Sequence, residues 1–400
     1  MSEVPTEWRV MQLGDVVSEI VAGQSPNRMG HPARHGKKGI LKTTAIQWGS
    51  FSPSENLEAL SDFSANNNTI VRKNDILITK AGPSHRVGVV ALSHKDTETL
   101  YISGKMAAIR TTADAHPAFL AYLMSHDMFQ GQLKSDITGM ALSQTNITHE
   151  NLLSKSIQLP PLPEQKKIAE ILSGIDRLIC IENTRLSALN RLLQSHLSSS
   201  RFSEGEPIAI SDACLLVADC MHKTPLFEDT GYPIVRTPNV RDGNLIFEGM
   251  KFISESSYQE WVRKDKPEPG DILFTREAPL GEACIVPNGL PLCIGQRMML
   301  LRADKRILSP EFLLFRLRSL VVQQKLQQIS GGSTVGHANV KDIRSLEIEV
   351  PSHSEQSVAV RIYQSISRSI STRSAMREKL LNLKNAISSA LLSGRKRVSV

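Results

Sequence analysis

The chain repeats itself, and this constrains its fold more than any other feature. Residues 74–80 (NDILITK) match residues 270–276 (GDILFTR): each segment has a turn residue, an aspartate, an apolar run, a threonine and a cation. Three further pairs follow in the same order: 102–106 with 294–298, 117–120 with 310–313, and 157–165 with 348–356. The offset drifts only from 196 to 191 residues, so we interpret the sequence as a tandem duplication.

Each copy has the same predicted plan. Short apolar strands at 76–79 and 272–275 are each followed by a helix that begins at a proline, at 117–133 and 310–329. A loop and a strand that ends in proline close each copy, the strands lying at 156–160 and 346–351. A mixed α/β (α+β) fold is therefore predicted for both copies.

A long helix is predicted after each copy, because residues 164–197 and 355–392 contain no proline. Apolar residues recur there every three or four positions, which is typical of a coiled coil. The predicted seam comprises Ile168, Leu172, Ile175, Ile179, Leu186 and Leu193 in the first helix and Ile366, Leu380, Leu383 and Ile387 in the second. The alternative is a pair of ordinary amphipathic core helices. The duplication further predicts that the two helices pair antiparallel, with pseudo-two-fold symmetry.

The chain thus divides into four predicted segments. Two α/β domains at 1–160 and 201–350 alternate with a central helical region at 161–200 and a C-terminal helical region at 351–400.

Charge is distributed unevenly along the 400 residues. The net charge is +7, and the last fifty residues alone carry nine basic and two acidic residues. The two α/β domains are nearly neutral, so nucleic-acid binding would depend on locally placed cations. The five cysteines include no C-x-x-C pair, which argues for buried free thiols and against a zinc ribbon or a disulfide framework. No signal-peptide pattern or membrane-length apolar stretch is present, so we expect a cytoplasmic protein.

Signatures of catalysis are incomplete throughout the sequence. Pro160-Pro161 is flanked by leucines and lacks the Asn and the aromatic residue of an adenine-methyltransferase motif. The segment 331–336 has P-loop spacing, but His337 stands where a lysine is required. Asp271 and Glu277 have the spacing of a nuclease acidic pair, yet Pro279 occupies the lysine position. We therefore expect no enzyme activity, no bound metal and no cofactor in this chain.

Four motifs together resemble those of the specificity subunits of type I restriction–modification systems. They are LPPLPEQ at 159–165, GDIL at 270–273, IGQR at 294–297 and GST at 332–334. The resemblance covers nearly the whole chain. It implies that each α/β domain is a target-recognition domain for half of a split DNA site, contacted in the major groove.

The resemblance also implies partners. The helices would set the spacing of the half-sites and bind two modification subunits, which use S-adenosylmethionine to methylate a flipped adenine. Restriction subunits would add ATP- and Mg-dependent translocation and cleavage. Two alternatives remain open at this point: a stand-alone DNA-binding regulator, and a coiled-coil interaction scaffold that never contacts DNA.

Candidate DNA contacts are polar residues on loops, preferably at matching places in both copies. In copy one they are Arg34, Lys37, Lys38, Lys42, Thr43, Lys80, Ser84, His85, Arg86, Lys105, Ser143 and Gln144. In copy two they are Arg236, Thr237, Asn239, Arg241, Arg276, Arg297, Ser333 and Thr334. Alternatives remain: a mobile surface loop at 28–38, salt bridges from Lys105 and Arg297 to the neighbouring domain, and capping by the Ser, Gln and Thr side chains.

Two further expectations concern asymmetry and the basic C-terminal region. Residues 45–69 differ strongly from residues 238–263, so the two half-sites should differ in sequence. The basic surplus of the C-terminal region is interpreted either as a solvated helix face or as a surface for DNA or an acidic partner.

Overall fold

A computed structural model describes residues 5–135, 145–199, 205–331 and 336–399. The chain forms two compact units. Unit 1 comprises Met1–Ile181 and Arg377–Val400, and unit 2 comprises Glu182–Met376.

Unit 1 is built on a small antiparallel sheet. Its strands are β1 (Arg9–Gln12), β2 (Val17–Ala22), β3 (Gly39–Leu41), β4 (Ile46–Gln47), β5 (Ser50–Phe51), β6 (Asn56–Glu58), β7 (Ile76–Thr79), β8 (Ala81–Gly82), β9 (Val90–Leu92), β10 (Leu100–Tyr101), β11 (Met106–Thr111), β12 (Thr145–Asn146) and β13 (Ser156–Leu159). Its helices are α1 (Pro117–Ser125), α2 (Asp127–Ser135), α3 (His149–Leu153) and the first part of α4 (Leu162–Leu197). The main sheet has the order β2-β11-β7-β9, and a second has the order β10-β3-β6.

Unit 2 repeats this plan. Its strands are β14 (Glu206–Ala209), β15 (Cys214–Asp219), β16 (Tyr232–Val235), β17 (Val240–Arg241), β18 (Asn244–Leu245), β19 (Lys251–Ile253), β20 (Ile272–Thr275), β21 (Ala283–Ile285), β22 (Cys293–Ile294), β23 (Met298–Ala303) and β24 (Glu347–Val350). Its helices are α5 (Ile210–Ala213), α6 (Glu255–Trp261), α7 (Pro310–Leu317), α8 (Leu320–Ile329), α9 (Val340–Arg344) and most of α10 (His353–Leu392). The sheet orders β15-β23-β20-β21 and β22-β16-β19 correspond to those of unit 1.

The predicted strands 76–79 and 272–275 are confirmed as β7 and β20. All four residues of each strand are buried, because the strand lies inside its sheet with both faces covered. The predicted helices 117–133 and 310–329 are each divided in two. In unit 2 the division falls at Ser319, whose hydroxyl accepts a hydrogen bond from the Val322 amide and so caps α8.

One glutamine fixes the start of each long helix. Gln165 accepts a hydrogen bond from the His116 amide at 2.7 Å and donates to the carbonyls of Asp114 and Pro160. Gln356 makes the equivalent three bonds in unit 2, to Ser309, Ile307 and Pro351. Because both glutamines are buried, these bonds lock the long helix to the helix that follows the sheet.

Two helical segments lie side by side in each unit. In unit 1, Asp176 on α4 pairs with Lys384 on α10 at 2.6 Å, and Glu164 pairs with Arg397, just beyond α10, at 2.6 Å. The order of these partners along the chain is reversed, so the two segments run antiparallel. In unit 2, Glu182 and Arg373 pair at 3.0 Å.

Most of the predicted seam is buried or partly buried. The prediction that Leu383 lies in the seam is wrong, because 48% of its surface is exposed. The inward position is taken by the neighbouring Lys384, whose ammonium reaches Asp176 and lies 5.8 Å from the centre of the Tyr122 ring. One cysteine prediction is also wrong: Cys180 is exposed, while the other four are buried. Within the described ranges, no helix is long and apolar enough to cross a membrane.

Candidate nucleic-acid interface

Several predicted contact residues of unit 1 lie at one edge of its sheets. Strand β11 begins where β7 ends, with Met106 opposite Thr79, and the amide of Lys80 donates to the carbonyl of Lys105 at 2.9 Å. Strand β3 runs parallel to β10, so Lys42, which follows β3, lies at this same edge. We call Lys42, Lys80, Arg86 and Lys105 edge 1.

Arg86 fastens edge 1 internally. Its guanidinium donates to the carbonyls of Thr43 at 2.5 Å and Ile46 at 2.6 Å, and to the Gln47 side chain at 3.2 Å. These bonds hold the turn after β3 against the loop after β8. Because both terminal nitrogens of the guanidinium already donate within unit 1, we expect Arg86 to position the edge rather than to contact DNA directly.

Lys80 and Lys105 are the uncompensated charges of edge 1. Among the residues that the structure describes, no carboxylate lies within 4.0 Å of either ammonium group. Burial, and then the positive charge of Lys80, lower the pKa of nearby His149. Lys42, in contrast, is paired with Glu55 at 2.7 Å.

The basic loop 28–38 is anchored by ion pairing. Arg34 binds Glu58 on β6 at 3.1 Å, and Lys38 donates to the carbonyl of Phe63 at 3.1 Å. Lys37 is exposed, as is His85 in the loop that follows β8, whereas Ser84 is partly buried. The loop is therefore held in place by these contacts while it exposes cations such as Lys37.

Unit 2 builds the same edge from different side chains. The Arg276 amide donates to the Arg297 carbonyl at 2.8 Å, and the Gly295 amide donates to the Val235 carbonyl at 2.8 Å. Arg236, which follows β16, therefore lies beside the turn that carries Arg297. We call Arg236, Arg276 and Arg297 edge 2.

Carboxylates accompany the arginines of edge 2. The Arg297 Nε lies 3.1 Å from Glu277 Oε2, and His337 Nδ1 lies 3.2 Å from Glu277 Oε1. Arg276 is buried, with its Nε 3.7 Å from Asp219 Oδ1. The alternative considered for Arg297, a salt bridge to the neighbouring domain, is wrong, because its partner Glu277 belongs to the same unit.

The turn after β16 corrects one predicted contact. Asn239 is fully buried, and its side-chain amide donates to the Ile246 carbonyl at 3.1 Å while its oxygen accepts from the Arg236 amide. Its side chain shapes the turn and is closed off from any ligand. Thr237 is also buried, whereas Arg241 is exposed.

Exposed apolar side chains near edge 2 are absent from the contacts predicted by sequence. Leu226 is 81% exposed and Phe247 is 60% exposed. The Arg236 guanidinium lies 5.5 Å from the centre of the Phe227 ring and donates to the Gly249 carbonyl, which draws both loops to this edge. Apolar residues in a predicted loop are the sequence signal that could have indicated these contacts. Sequence alone, however, does not distinguish such residues from buried residues of the hydrophobic core.

Four predicted residues lie outside the described ranges: Ser143, Gln144, Ser333 and Thr334. The acidic pair weighed for a nuclease is not assembled as one, because Asp271 is buried against Arg302 at 2.9 Å while Glu277 pairs with Arg297. No group of three or more His, Cys, Asp or Glu suited to a metal ion occurs in the described part of the chain.

Comparison with known families gives a match that spans most of the chain. Residues 5–191 and 216–382 each match the family described as type I restriction modification DNA specificity domain. The chain belongs to this family. As a type I specificity subunit, it recognises DNA sequence and is the non-catalytic component of its system.

Relatives of this specificity subunit match all or part of its length. It is 24% identical over 423 residues to the type I restriction enzyme MjaVIII specificity subunit of Methanocaldococcus jannaschii, covering 99% of this chain and 94% of that one. It is 30% identical over 200 residues to the EcoEI specificity subunit of Escherichia coli, covering 50% and 34%. The crystal structure of the S subunit from M. genitalium shares the fold, with a TM-score of 0.65 at 14% identity over 98% of this chain and 97% of that one.

Proposed function

We propose that this specificity subunit recognises a split, asymmetric DNA site, with edge 1 at one half-site and edge 2 at the other. The observation that carries the proposal is the repeated edge itself. Unit 1 brings together the residues that follow β3, follow β7 and precede β11. Unit 2 brings together the residues at the equivalent positions, which follow β16, follow β20 and precede β23. The arrangement of strands is repeated and the side chains differ, which suits two half-sites of different sequence.

The side chains at each edge suit duplex DNA. Lysine and arginine bind phosphate oxygens and fix the register of a protein on the duplex. Arginine also makes paired hydrogen bonds to guanine, and exposed apolar side chains contact the methyl group of thymine. In edge 1, Lys80 and Lys105 are available for phosphate contacts. Near edge 2, the exposed Leu226 and Phe247 are available for contacts with thymine methyl groups.

We further propose that α4 and α10 bind two adenine-methyltransferase subunits, one for each repeat, and that restriction subunits join this assembly. Exposed apolar residues on these helices support the proposal, since unpartnered apolar surface favours a protein interface. They are Leu178, Ile181, Leu192, Val358, Ile362, Met376 and Leu383. S-adenosylmethionine, ATP and Mg would then be bound by the partners, and the assembly would work in the cytoplasm.

The direct test is genome-wide mapping of N6-methyladenine in cells that express this chain together with the methyltransferase encoded beside it. We expect one new motif with two short specified halves around a fixed unspecified spacer. A perfectly palindromic motif would contradict the asymmetry. No new methylation, with both proteins produced and associated, would contradict the proposed function.

A further inference from the structure

The two edges differ at two equivalent positions, and both differences change charge. On β2, Ala22 lies opposite Ala107, and on β15 the equivalent residue, opposite Met299, is Asp219. After β7, Ala81 pairs with Asn146, and after β20 the equivalent residue, paired with His337, is Glu277. Unit 2 therefore has two carboxylates where unit 1 has two methyl groups.

These carboxylates reduce the ability of the neighbouring cations to bind DNA phosphates. In edge 2, Arg297 is held by Glu277 at 3.1 Å, and Arg276 is buried beside Asp219. In edge 1, Lys105 is exposed and Lys80 partly buried, with no carboxylate in the described ranges within ion-pair distance of either. A cation already paired with a carboxylate gains less from a phosphate, since the first pair must be broken.

The loops beside each edge differ in the same direction. Unit 1 carries the basic segment 28–38, with four lysines and arginines. The corresponding loop of unit 2 has one lysine, Lys223, which pairs with Glu260 at 3.4 Å, and otherwise contributes Leu226, Phe227, Glu228 and Asp229. Apolar and acidic side chains do not bind phosphate, but they do contact thymine methyl groups and cytosine amino groups in the major groove.

We propose that edge 1 supplies most of the phosphate-binding charge of the DNA contact, and that edge 2 binds chiefly through uncharged and base-directed contacts. This rests on the proposed function. The two repeats then divide the work: unit 1 anchors the duplex in a salt-dependent manner, and unit 2 adds discrimination with little dependence on salt.

The repeat provides its own matched variants. Ala81→Glu places the acid of edge 2 beside Lys80, and Glu277→Ala removes it from beside Arg297. Binding of the full chain to a short DNA duplex is followed by fluorescence anisotropy between about 50 and about 200 mM salt, where each phosphate contact contributes about 0.9 to the slope of log affinity against log salt. We expect Ala81→Glu to make the slope shallower by about 1, and Glu277→Ala to make it steeper by up to about 1.

A second pair of variants removes the cations. Lys80→Gln with Lys105→Gln should make the slope shallower by about 2, whereas Arg297→Gln should leave it nearly unchanged. Equal effects of the lysine and arginine variants would overturn the proposal, and so would absence of binding by the unaltered chain at low salt. Melting curves confirm folding, and the lysine variants decide the matter if Ala81→Glu fails to fold. A mapped split motif with these salt slopes reversed would refute the division of work alone and leave the proposed function standing.

Discussion

At the level of single residues, Glu58 shows how the basic loop 28–38 is held. Its carboxylate binds the side chain and the backbone amide of Arg34, and these hydrogen bonds lower its pKa from the usual 4.5 to about 2. A carboxyl group whose pKa falls on folding stabilises the folded state above its unfolded pKa, and loses that contribution as the pH falls towards its folded pKa.

We therefore predict that Glu58→Gln lowers the melting temperature at pH 7, and that the difference from the unaltered chain shrinks between pH 4.5 and about 2. Thermal unfolding at several pH values measures this. Glu170→Gln is the control, since Glu170 is exposed and paired only with Lys167 one turn away. A difference that stayed constant with pH would contradict the role given to Glu58.

The surroundings of single side chains were the feature that the sequence predicted least well. The matching positions of Lys105 and Arg297 were predicted from the repeat, and the structure brings each to its edge. Their different surroundings depend on Glu277, which pairs with Arg297 across twenty residues. The prediction that Asn239 contacts DNA was wrong for a related reason. A polar side chain in a turn forms hydrogen bonds with the nearby backbone as readily as with a ligand.

At the scale of the element, the start of α4 depends on three hydrogen bonds from Gln165. Gln165→Leu would leave the partly buried His116 amide, the Asp114 carbonyl and the buried Pro160 carbonyl without this partner. We predict a loss of about 3 kcal/mol in the free energy of unfolding. Urea-induced unfolding measures it. Gln194→Leu, an exposed position on the same helix, should cost less than about 0.5 kcal/mol, and a similar loss in both variants would refute the argument.

Part of the basic surplus of the C-terminal region is paired within the fold. Arg373, Lys384 and Arg397 have carboxylate partners within their own units. Arg361, Arg368 and Lys379 are exposed and are the better candidates for a partner surface.

We predict that reversing the charge of Arg361, Arg368 and Lys379 together weakens association with the methyltransferase subunit, as measured by co-purification, or affinity for DNA. Charge reversal at Lys95, which is exposed on unit 1 outside the long helices, serves as the control. Unchanged assembly and unchanged DNA binding would favour the solvated-face interpretation.

Element boundaries followed from the sequence wherever a proline or a buried run marked them. The long helices begin within two residues of the predicted positions. Leu383 shows what periodicity misses: a seam with steps of three and four does not exclude a lysine whose stem packs inward while its charge finds a carboxylate.

At the scale of the whole molecule, the duplication was the most accurate prediction, because four motifs in register are very improbable by chance. It leads to a further test. Replacing residues 205–351 by residues 8–160, which occupy the equivalent place, gives a chain with two copies of the first domain. We predict that it directs methylation to a palindromic motif, as mapped by N6-methyladenine sequencing. An asymmetric motif from this chain would contradict one half-site per unit.

Unit 1 is closed by residues far along the chain. Arg397 binds both Glu7 and Glu164, and Glu164 in turn accepts from the Trp8 indole. During synthesis, domains generally fold as they leave the ribosome, the earlier ones first. Here the order of completion is inverted: unit 1 lacks part of its residues until 377–400 are made, whereas unit 2 has all its residues once Met376 is made. A premature stop within the last turns of α10 would therefore damage the earliest-made part of the protein and spare the part made just before it.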